Sequence, residues 1–216
     1  MNTIQLISVS IIPLVFAITV HEAAHGWVAN KLGDATARQL GRLTFNPIPH
    51  IDPVGTILVP LAMLVLGGFI FGWAKPVPVN MRNFRHPRQD MALVAVAGPV
   101  ANLLMALLWG LVWKLTVLFS AELHGFAMPL LLTARIGIFL NVLLMVLNLL
   151  PLPPLDGSRV LTWLLPPRLA ARVDQIEPYG VMILVALLFL GLWDKVIRPI
   201  TALFNALIEQ ILGIQL

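Results

Sequence analysis

At 216 residues the chain has the length of one domain or little more, and its 59% hydrophobic and 11% charged residues mark an integral membrane protein. The formal net charge of +4 and a pI near 10.1 come without a dense basic run interleaved with aromatics, so nucleic acid is excluded as a partner; the cations flank apolar segments, where they set topology. Cysteine is absent, which rules out a disulfide framework and thiolate chemistry and leaves His and carboxylates to hold any metal.

The chain opens with an uncharged run, Ile4 to Val20, that passes directly into His21-Glu22-Ala23-Ala24-His25-Gly26. No basic segment precedes this run, so it reads as retained structure and not as a secretory leader. A helix over Thr3 to Lys31, stopped near Gly33-Asp34, places the two histidines one turn apart on nearly one face, where both can reach a single metal ion. Glu22 stands beside them. H-E-x-x-H on a helix is the arrangement in which two His bind zinc and the Glu acts as general base. The bland reading is two histidines hydrogen-bonded inside a bundle. It is the weaker one here, because a charged residue in hydrocarbon costs roughly 2–3 kcal/mol on insertion scales and such residues are functional by default.

Leu40 to Pro53 contains Pro47, Pro49 and Pro53 among β-favouring residues and predicts strands and turns. Gly55 to Phe71 is apolar and about long enough to cross a bilayer, although Pro60 and Gly67-Gly68 interrupt it. Trp73 to Asn80 alternates prolines with small apolar residues, as an extended edge strand does, and Arg82, Arg85 and Arg88 form a basic loop. Two clear spans follow, Met91 to Trp113 with Gly98-Pro99 and Asn102, and Met128 to Leu150 with Asn141 and Asn148. At 1.5 Å per residue each makes roughly 34 Å of helix, enough to span. The second of these ends in a proline-rich turn that delivers Asp156-Gly157. Ser158 to Glu177 is polar, Tyr179 to Trp193 is apolar, and Ile197 to Leu216 reads as a short span or an interfacial segment.

Counting cations decides whether Gly55 to Phe71 crosses. If it re-enters, Lys31, Arg38, Arg42, Lys75, Arg82, Arg85, Arg88, Arg159, Arg168 and Arg172 share one side, against Lys114, Arg135, Lys195 and Arg198. If it crosses, the split becomes seven against seven. The positive-inside tendency favours re-entry, with the larger group cytoplasmic. Re-entry also puts Asp156 on the same side as His25. Crossing would separate them by most of a membrane, on the order of 30 Å.

Catalytic zinc takes three protein ligands and keeps one position open. Asp156 has the best case for the third, being held by a rigid turn and followed by a glycine that permits close backbone approach. An Asp-Gly turn or a helix N-cap is the plain structural alternative. Glu177, Glu122, Glu209, His50 and His86 compete for the same role.

His21-Glu22-Ala23-Ala24-His25 in a membrane helix, Ala97-Gly98-Pro99 with Asn102, and Asn148 through Leu155-Asp156-Gly157 together resemble the three signatures of the site-2 protease family of intramembrane zinc metallopeptidases. Gly41 to Pro53 and Trp73 to Asn80 are similar to its short form without a PDZ or CBS domain. No additional N-terminal span and no appended regulatory domain is expected. The resemblance runs from about residue 15 to 180 and implies one zinc ion held by His21, His25 and Asp156, with Glu22 as general base. It further implies that Asn148 and Asn102 line the cleft, to hold substrate backbone or an oxyanion; the structural alternative is an interhelical hydrogen bond. Gly98-Pro99 would break helix hydrogen bonding beside the metal or simply kink the helix. Gly41 to Asn80 would form a membrane-embedded β element able to pair with an unwound substrate.

The expected fold is thus an all-α polytopic membrane protein, a single membrane-embedded domain over residues 1–216. Its core is three transmembrane helices, with a re-entrant β-containing segment between the first and second and one or two C-terminal helices after them. The catalytic core covers about 3–158 and the C-terminal helices about 179–216. The expected activity is zinc-dependent intramembrane endoproteolysis of membrane proteins with a transmembrane segment, in a prokaryotic cell membrane, with the active site towards the cytoplasm. The lipid bilayer is the other partner, and both a monomer and a homo-oligomer fit the sequence. The rival from another class is a non-catalytic metal-binding membrane protein of transporter-like or chaperone-like type. Intact Glu22 and the lack of inverted repeats stand against it.

Overall fold

A computed structural model describes residues 3–58 and 74–215 of the chain. Helix α1, Thr3–Lys31, follows from the uncharged N-terminal run and continues through Pro13. It stops where Gly33 takes φ +113°, a left-handed conformation that glycine tolerates. Helices α2, Pro87–Leu118, and α3, Ala127–Asn148, form an antiparallel hairpin packed along α1. Among the described residues these are the three single helices long and apolar enough to cross a membrane, the third candidate span beginning at Ser120. Their outward faces are apolar, with Leu6, Ile7, Ile11 and Ile12 on α1 and Leu104, Leu108 and Leu111 on α2 all exposed, as lipid contact requires. The chain is a multi-pass membrane protein.

The ends of these helices fix the sidedness of the site. Ala29 near the end of α1, Phe84 just before α2 and Val94 in its second turn form one buried cluster, so α1 finishes where α2 starts. The hairpin then brings the end of α3 back to that same end. The end of α1 and the start of α2 therefore lie at one end of the bundle. Most of the predicted re-entrant stretch Gly55 to Phe71, residues 59–71, lies outside the described residues.

The β content expected in that connection is not found: no strand occurs among the described residues. Gly41 to Pro53 folds into turns and a one-turn helix at Ile48–His50. Polar side chains take the backbone amides there, with Asn46 N–H donating to Thr44 Oγ1 and Ile48 N–H to Asn46 Oδ1, while Pro47, Pro49 and Pro53 offer none. Residues 53–58 form a π-helical turn whose start is held by Asp52 Oδ1, which accepts from Val54 and Gly55. Residues 74–80 form no helix or strand, and their bonds go to side chains and to an isolated carbonyl. Lys75 N–H reaches His50 O, Val77 N–H reaches Glu22, and Asn80 N–H reaches Asp34.

After α3, two short helices, α4 (Asp156–Leu164) and α5 (Pro167–Asp174), occupy the predicted polar segment. They are followed by α6, Gly180–Phe189, and α7, Arg198–Leu212. The helical run Pro167–Phe189 and the run Trp193–Leu212 meet at 79°, near Gly191 with φ +91°. Helix α7 docks on α2 and α3 through Ile208, Ala106, Ile138 and Val142, and Lys114 Nζ donates to Leu212 O at 2.7 Å.

Candidate metal centre

His21 and His25 follow each other by one turn on α1, and the face that carries them turns towards α2, where only a glycine lets them in. A β-carbon at Gly98 would lie 2.5 Å from His21 Cε1 and 2.5 Å from His25 Nε2, well inside van der Waals contact. The helix continues through Gly98-Pro99, where Pro99 offers no N–H to the helix, and Gly98 supplies the space for the two rings. The rings meet edge to face, with centroids 4.6 Å apart at 88°. Both residues are buried, at 7% and 8% exposure.

Asp156 arrives from the opposite side as the first residue of α4. A β-carbon at Gly157 would lie 2.3 Å from Leu149 O, so the glycine sets α4 directly against the end of α3. The far end of α4 is held by Arg88, which donates to the carbonyls of Thr162 and Leu165. Arg159, one turn beyond Asp156, pairs with Glu177 at 2.8 Å and Asp174 at 3.4 Å. With α4 fixed at both ends, Asp156 Oδ2 lies 3.2 Å from His21 Nε2 and 3.4 Å from His25 Nε2, and the two Nε2 atoms are 3.0 Å apart. Leu155 is the N-cap of this helix and Asp156 its first residue, so Asp156 is not the N-cap.

The protons on the imidazoles are fixed from behind. His25 Nδ1 faces the Val94 carbonyl at 2.7 Å, and a carbonyl only accepts, so Nδ1 carries the hydrogen. His21 Nδ1 faces Asn102 Oδ1 at 2.6 Å. The amide nitrogen of Asn102 is taken up by Ala17 O and Asn141 Oδ1, which leaves its oxygen to accept from His21. Each ring therefore turns its Nε2 inwards, and the two nitrogens converge with a carboxylate oxygen whose nearest polar neighbours are those nitrogens. Three ligand-type atoms at this spacing suit one shared cation. Ligands about 2.0–2.1 Å from one tetrahedral zinc lie roughly 3.2–3.5 Å apart, close to the distances seen. A carbonyl or amide on the second ring nitrogen is also the usual support of a metal-binding histidine. The residues fit a zinc ion, and among the described residues this is the one His and carboxylate group so arranged.

Glu22 lies between the two histidines in sequence, and its Oε2 accepts from Val77 N–H at 2.8 Å. Residues 75–80 are thereby laid across the site. Arg42 holds the same strip through the carbonyls of Lys75 at 2.8 Å and Pro76 at 3.2 Å, and Asp34 holds its end through Asn80 N–H at 2.7 Å. Asp34 also accepts from the Thr36 amide and hydroxyl and from Asn83 Nδ2. Burial alone would raise its carboxyl pKa, but these hydrogen bonds outweigh that and hold it below the ordinary value.

The other sequence candidates fall elsewhere. Asn102 is fully buried and supports His21 from behind, and Asn148 is half-buried with Nδ2 donating to Leu144 O at 3.0 Å. Glu177 is paired to Arg159, His50 Nε2 faces Thr44 O, and His86 precedes α2 with its amide on Asp90. Glu122 follows α2 at the other end of the bundle, and Glu209 lines a groove there with Arg135 and Asn205. Sequence reasoning assigned no role to Asn141, Asp34 or the contact between Val77 and Glu22. The one available signal was an asparagine inside an apolar span, which needs a buried partner.

Comparison with curated proteins gives relatives along most of the chain. A Bacillus subtilis protein named "Putative zinc metalloprotease YwhC" is 43% identical over 211 residues, covering 94% of this chain and 93% of its own length. Two proteins named "Putative zinc metalloprotease Rip2" are more distant. The one from Mycolicibacterium smegmatis is 32% identical over 80% of this chain and 63% of its own length, and the one from Mycobacterium tuberculosis is 28% identical over 79% and 62%. No family model and no solved structure matches the chain.

Proposed function

The chain belongs to the site-2 protease family of membrane zinc metalloproteases, and from that premise we propose that it hydrolyses peptide bonds within or near transmembrane segments of other membrane proteins, with His21, His25 and Asp156 as zinc ligands. The observation that carries this is the convergence of two Nε2 atoms and Asp156 Oδ2 on one point, with both Nδ1 atoms held from behind. The relatives' names do not favour a transporter-like or chaperone-like reading.

A bound zinc ion supplies Lewis acidity that favours ionisation of water and polarises a carbonyl oxygen. Glu22 is the proton carrier. One of its oxygens is held by the Val77 amide, which leaves the other to take a proton from the attacking water and to return it to the nitrogen of the departing peptide. The sequence between the two histidines, Glu22-Ala23-Ala24, keeps that carboxylate within one turn of both. A substrate segment must unwind before its carbonyl is accessible, because helical hydrogen bonds shield it. Residues 74–80 beside Glu22 are the surface along which an unwound segment would lie. The amides of Lys75, Val77 and Asn80 are already engaged and Pro76 and Pro78 have none, so the substrate would pair mainly with carbonyls there.

The active site faces the cytoplasm in this proposal. Ten Lys and Arg, from Lys31 to Arg172, belong to segments joined to the site end of the bundle, whereas Lys114 and Arg135 lie towards the other end. The deciding experiment uses purified protein in lipid nanodiscs with a single-span membrane protein as substrate. Wild type should contain about one zinc per chain and cleave in a chelator-sensitive manner; Glu22→Gln should retain zinc and cleave nothing. Normal turnover by Glu22→Gln would remove Glu22 from its role.

A further inference from the structure

We infer that Asn141, on α3, decides which nitrogen of His21 faces the metal, and is therefore a positioning residue of the site although it touches neither metal nor substrate. The inference rests on the reading of His21 as a zinc ligand.

The argument starts at a backbone carbonyl. Gly137 O, one turn before Asn141 on the same helix, can only accept, and Asn141 Nδ2 lies 2.8 Å from it. That fixes the amide of Asn141 with its oxygen pointing the other way. Asn141 Oδ1 is 3.0 Å from Asn102 Nδ2 on α2, so Asn102 must present its NH2 group to Asn141 and its oxygen to His21. An oxygen at 2.6 Å from Nδ1 requires the hydrogen on Nδ1 and leaves Nε2 as the lone-pair nitrogen. The direction of one helical carbonyl is thus passed through two amides on two helices to an imidazole on a third.

All members of the relay are sealed from water. Asn102 and Asn141 are fully buried, so no solvent molecule substitutes for a lost partner. Asn102 Nδ2 has one other acceptor, Ala17 O, at the longer distance of 3.2 Å. Ala17 is also one turn before His21, and its carbonyl accepts the helical amide of that residue. Without Asn141 Oδ1, the second hydrogen of the Asn102 amide loses its acceptor at a site where an unsatisfied donor is costly. The Asn102 amide is then held by Ala17 O alone, and its reversed orientation, which offers N–H to His21 Nδ1, becomes accessible. The proton of His21 moves to Nε2, which withdraws that nitrogen from the metal. His25 is the internal control, because its Nδ1 hydrogen is held by Val94 O and not by the relay.

The test is 15N NMR of histidine-labelled protein in nanodiscs, stripped of metal, together with zinc titration of the same samples. In the wild type both His21 and His25 should carry hydrogen on Nδ1. In Asn141→Leu, His21 should shift towards the Nε2–H form with His25 unchanged, and the zinc dissociation constant should rise about tenfold, the lower end for loss of an outer support. Asn141→Asp, whose buried carboxyl is held neutral and keeps both the donor and the acceptor, should restore both readouts. Asn141→Ala gives the same comparison if leucine is not accommodated. A His21 that stays Nδ1–H with unchanged zinc affinity in Asn141→Leu and Asn141→Ala overturns the inference while leaving the zinc site intact. A wild type that binds no zinc overturns the functional reading, and the tautomer measurement on metal-free protein still decides the role of Asn141.

Discussion

Val77 N–H donates to Glu22 Oε2 at 2.8 Å, so the residue that moves protons in the proposed reaction is held by the backbone of a segment 55 residues away. Arg42, 9% exposed, fastens that segment through Lys75 O and Pro76 O. Arg42→Ala should release the strip from Glu22 and lower kcat about tenfold, in line with roughly 1.5–3 kcal/mol for hydrogen bonds to a charged group. Zinc content should stay at the wild-type level, since no ligand is touched. Steady-state cleavage combined with metal analysis checks both halves, and a parallel loss of zinc would show that Arg42 supports the metal itself.

Gly98→Ala should abolish zinc binding. The added carbon would lie 2.5 Å from both imidazoles, and these rings have nowhere to go while Asn102 and Val94 hold their Nδ1 atoms. Gly26→Ala is the matched comparison, because its added carbon meets Val77 Cγ1 at 3.2 Å and two further side-chain carbons at 3.4 Å, contacts that yield by a few tenths of an ångström. Metal analysis of the two variants should separate them clearly.

Asp34 makes stability depend on pH in a defined direction. Its folded pKa lies below the ordinary 3.8, so the stabilisation is fully present above that value and disappears as pH falls through the lower, folded value. Asp34→Asn should melt below wild type at pH 7, by a few degrees (about 2–4 °C per kcal/mol for a chain of this size), and the gap should close in strong acid. Thermal scans at pH 7 and below pH 3.8 measure it. A gap that persists undiminished in acid would mean that the ionised carboxylate is not what holds the end of the strip.

Zinc removal should destabilise the bundle as well as stop catalysis, because an ion bound to the folded site alone adds its binding free energy to the folded state. Zinc present at a hundredfold excess over its dissociation constant adds about 2.7 kcal/mol to the folded state. Wild type should therefore lose melting temperature on chelation, and Asp156→Asn should show a smaller change and lower zinc retention.

The long helices were legible in the sequence because each leaves a local trace, as did the two histidines and the carboxylate that the structure brings together: long apolar runs, a Gly-Asp stop after Lys31, and a carboxylate after a proline-rich turn. The strand prediction for Gly41 to Asn80 failed because prolines and β-favouring residues report extended backbone but not a partner for it; here Glu22, Asp34 and Arg42 supply the partners. The cleft role for Asn102 came from the family resemblance, whereas the packing places it behind His21 at 0% exposure, in the interhelical hydrogen bond that was its structural alternative. The need for Gly98 was hidden for the same reason, since it depends on which face of α1 meets α2.

The placement of Asp156 after the third span, with His21 and His25 near the end of the first, bears on how the protein is made. A growing chain carries two of its ligands early, yet the third emerges only after α2 and α3 have been threaded into the bilayer. Until α4 closes against the end of α3, no complete cage exists for the ion. A half-inserted copy therefore lacks one of the three groups that converge at the site, and these come together only in the finished bundle.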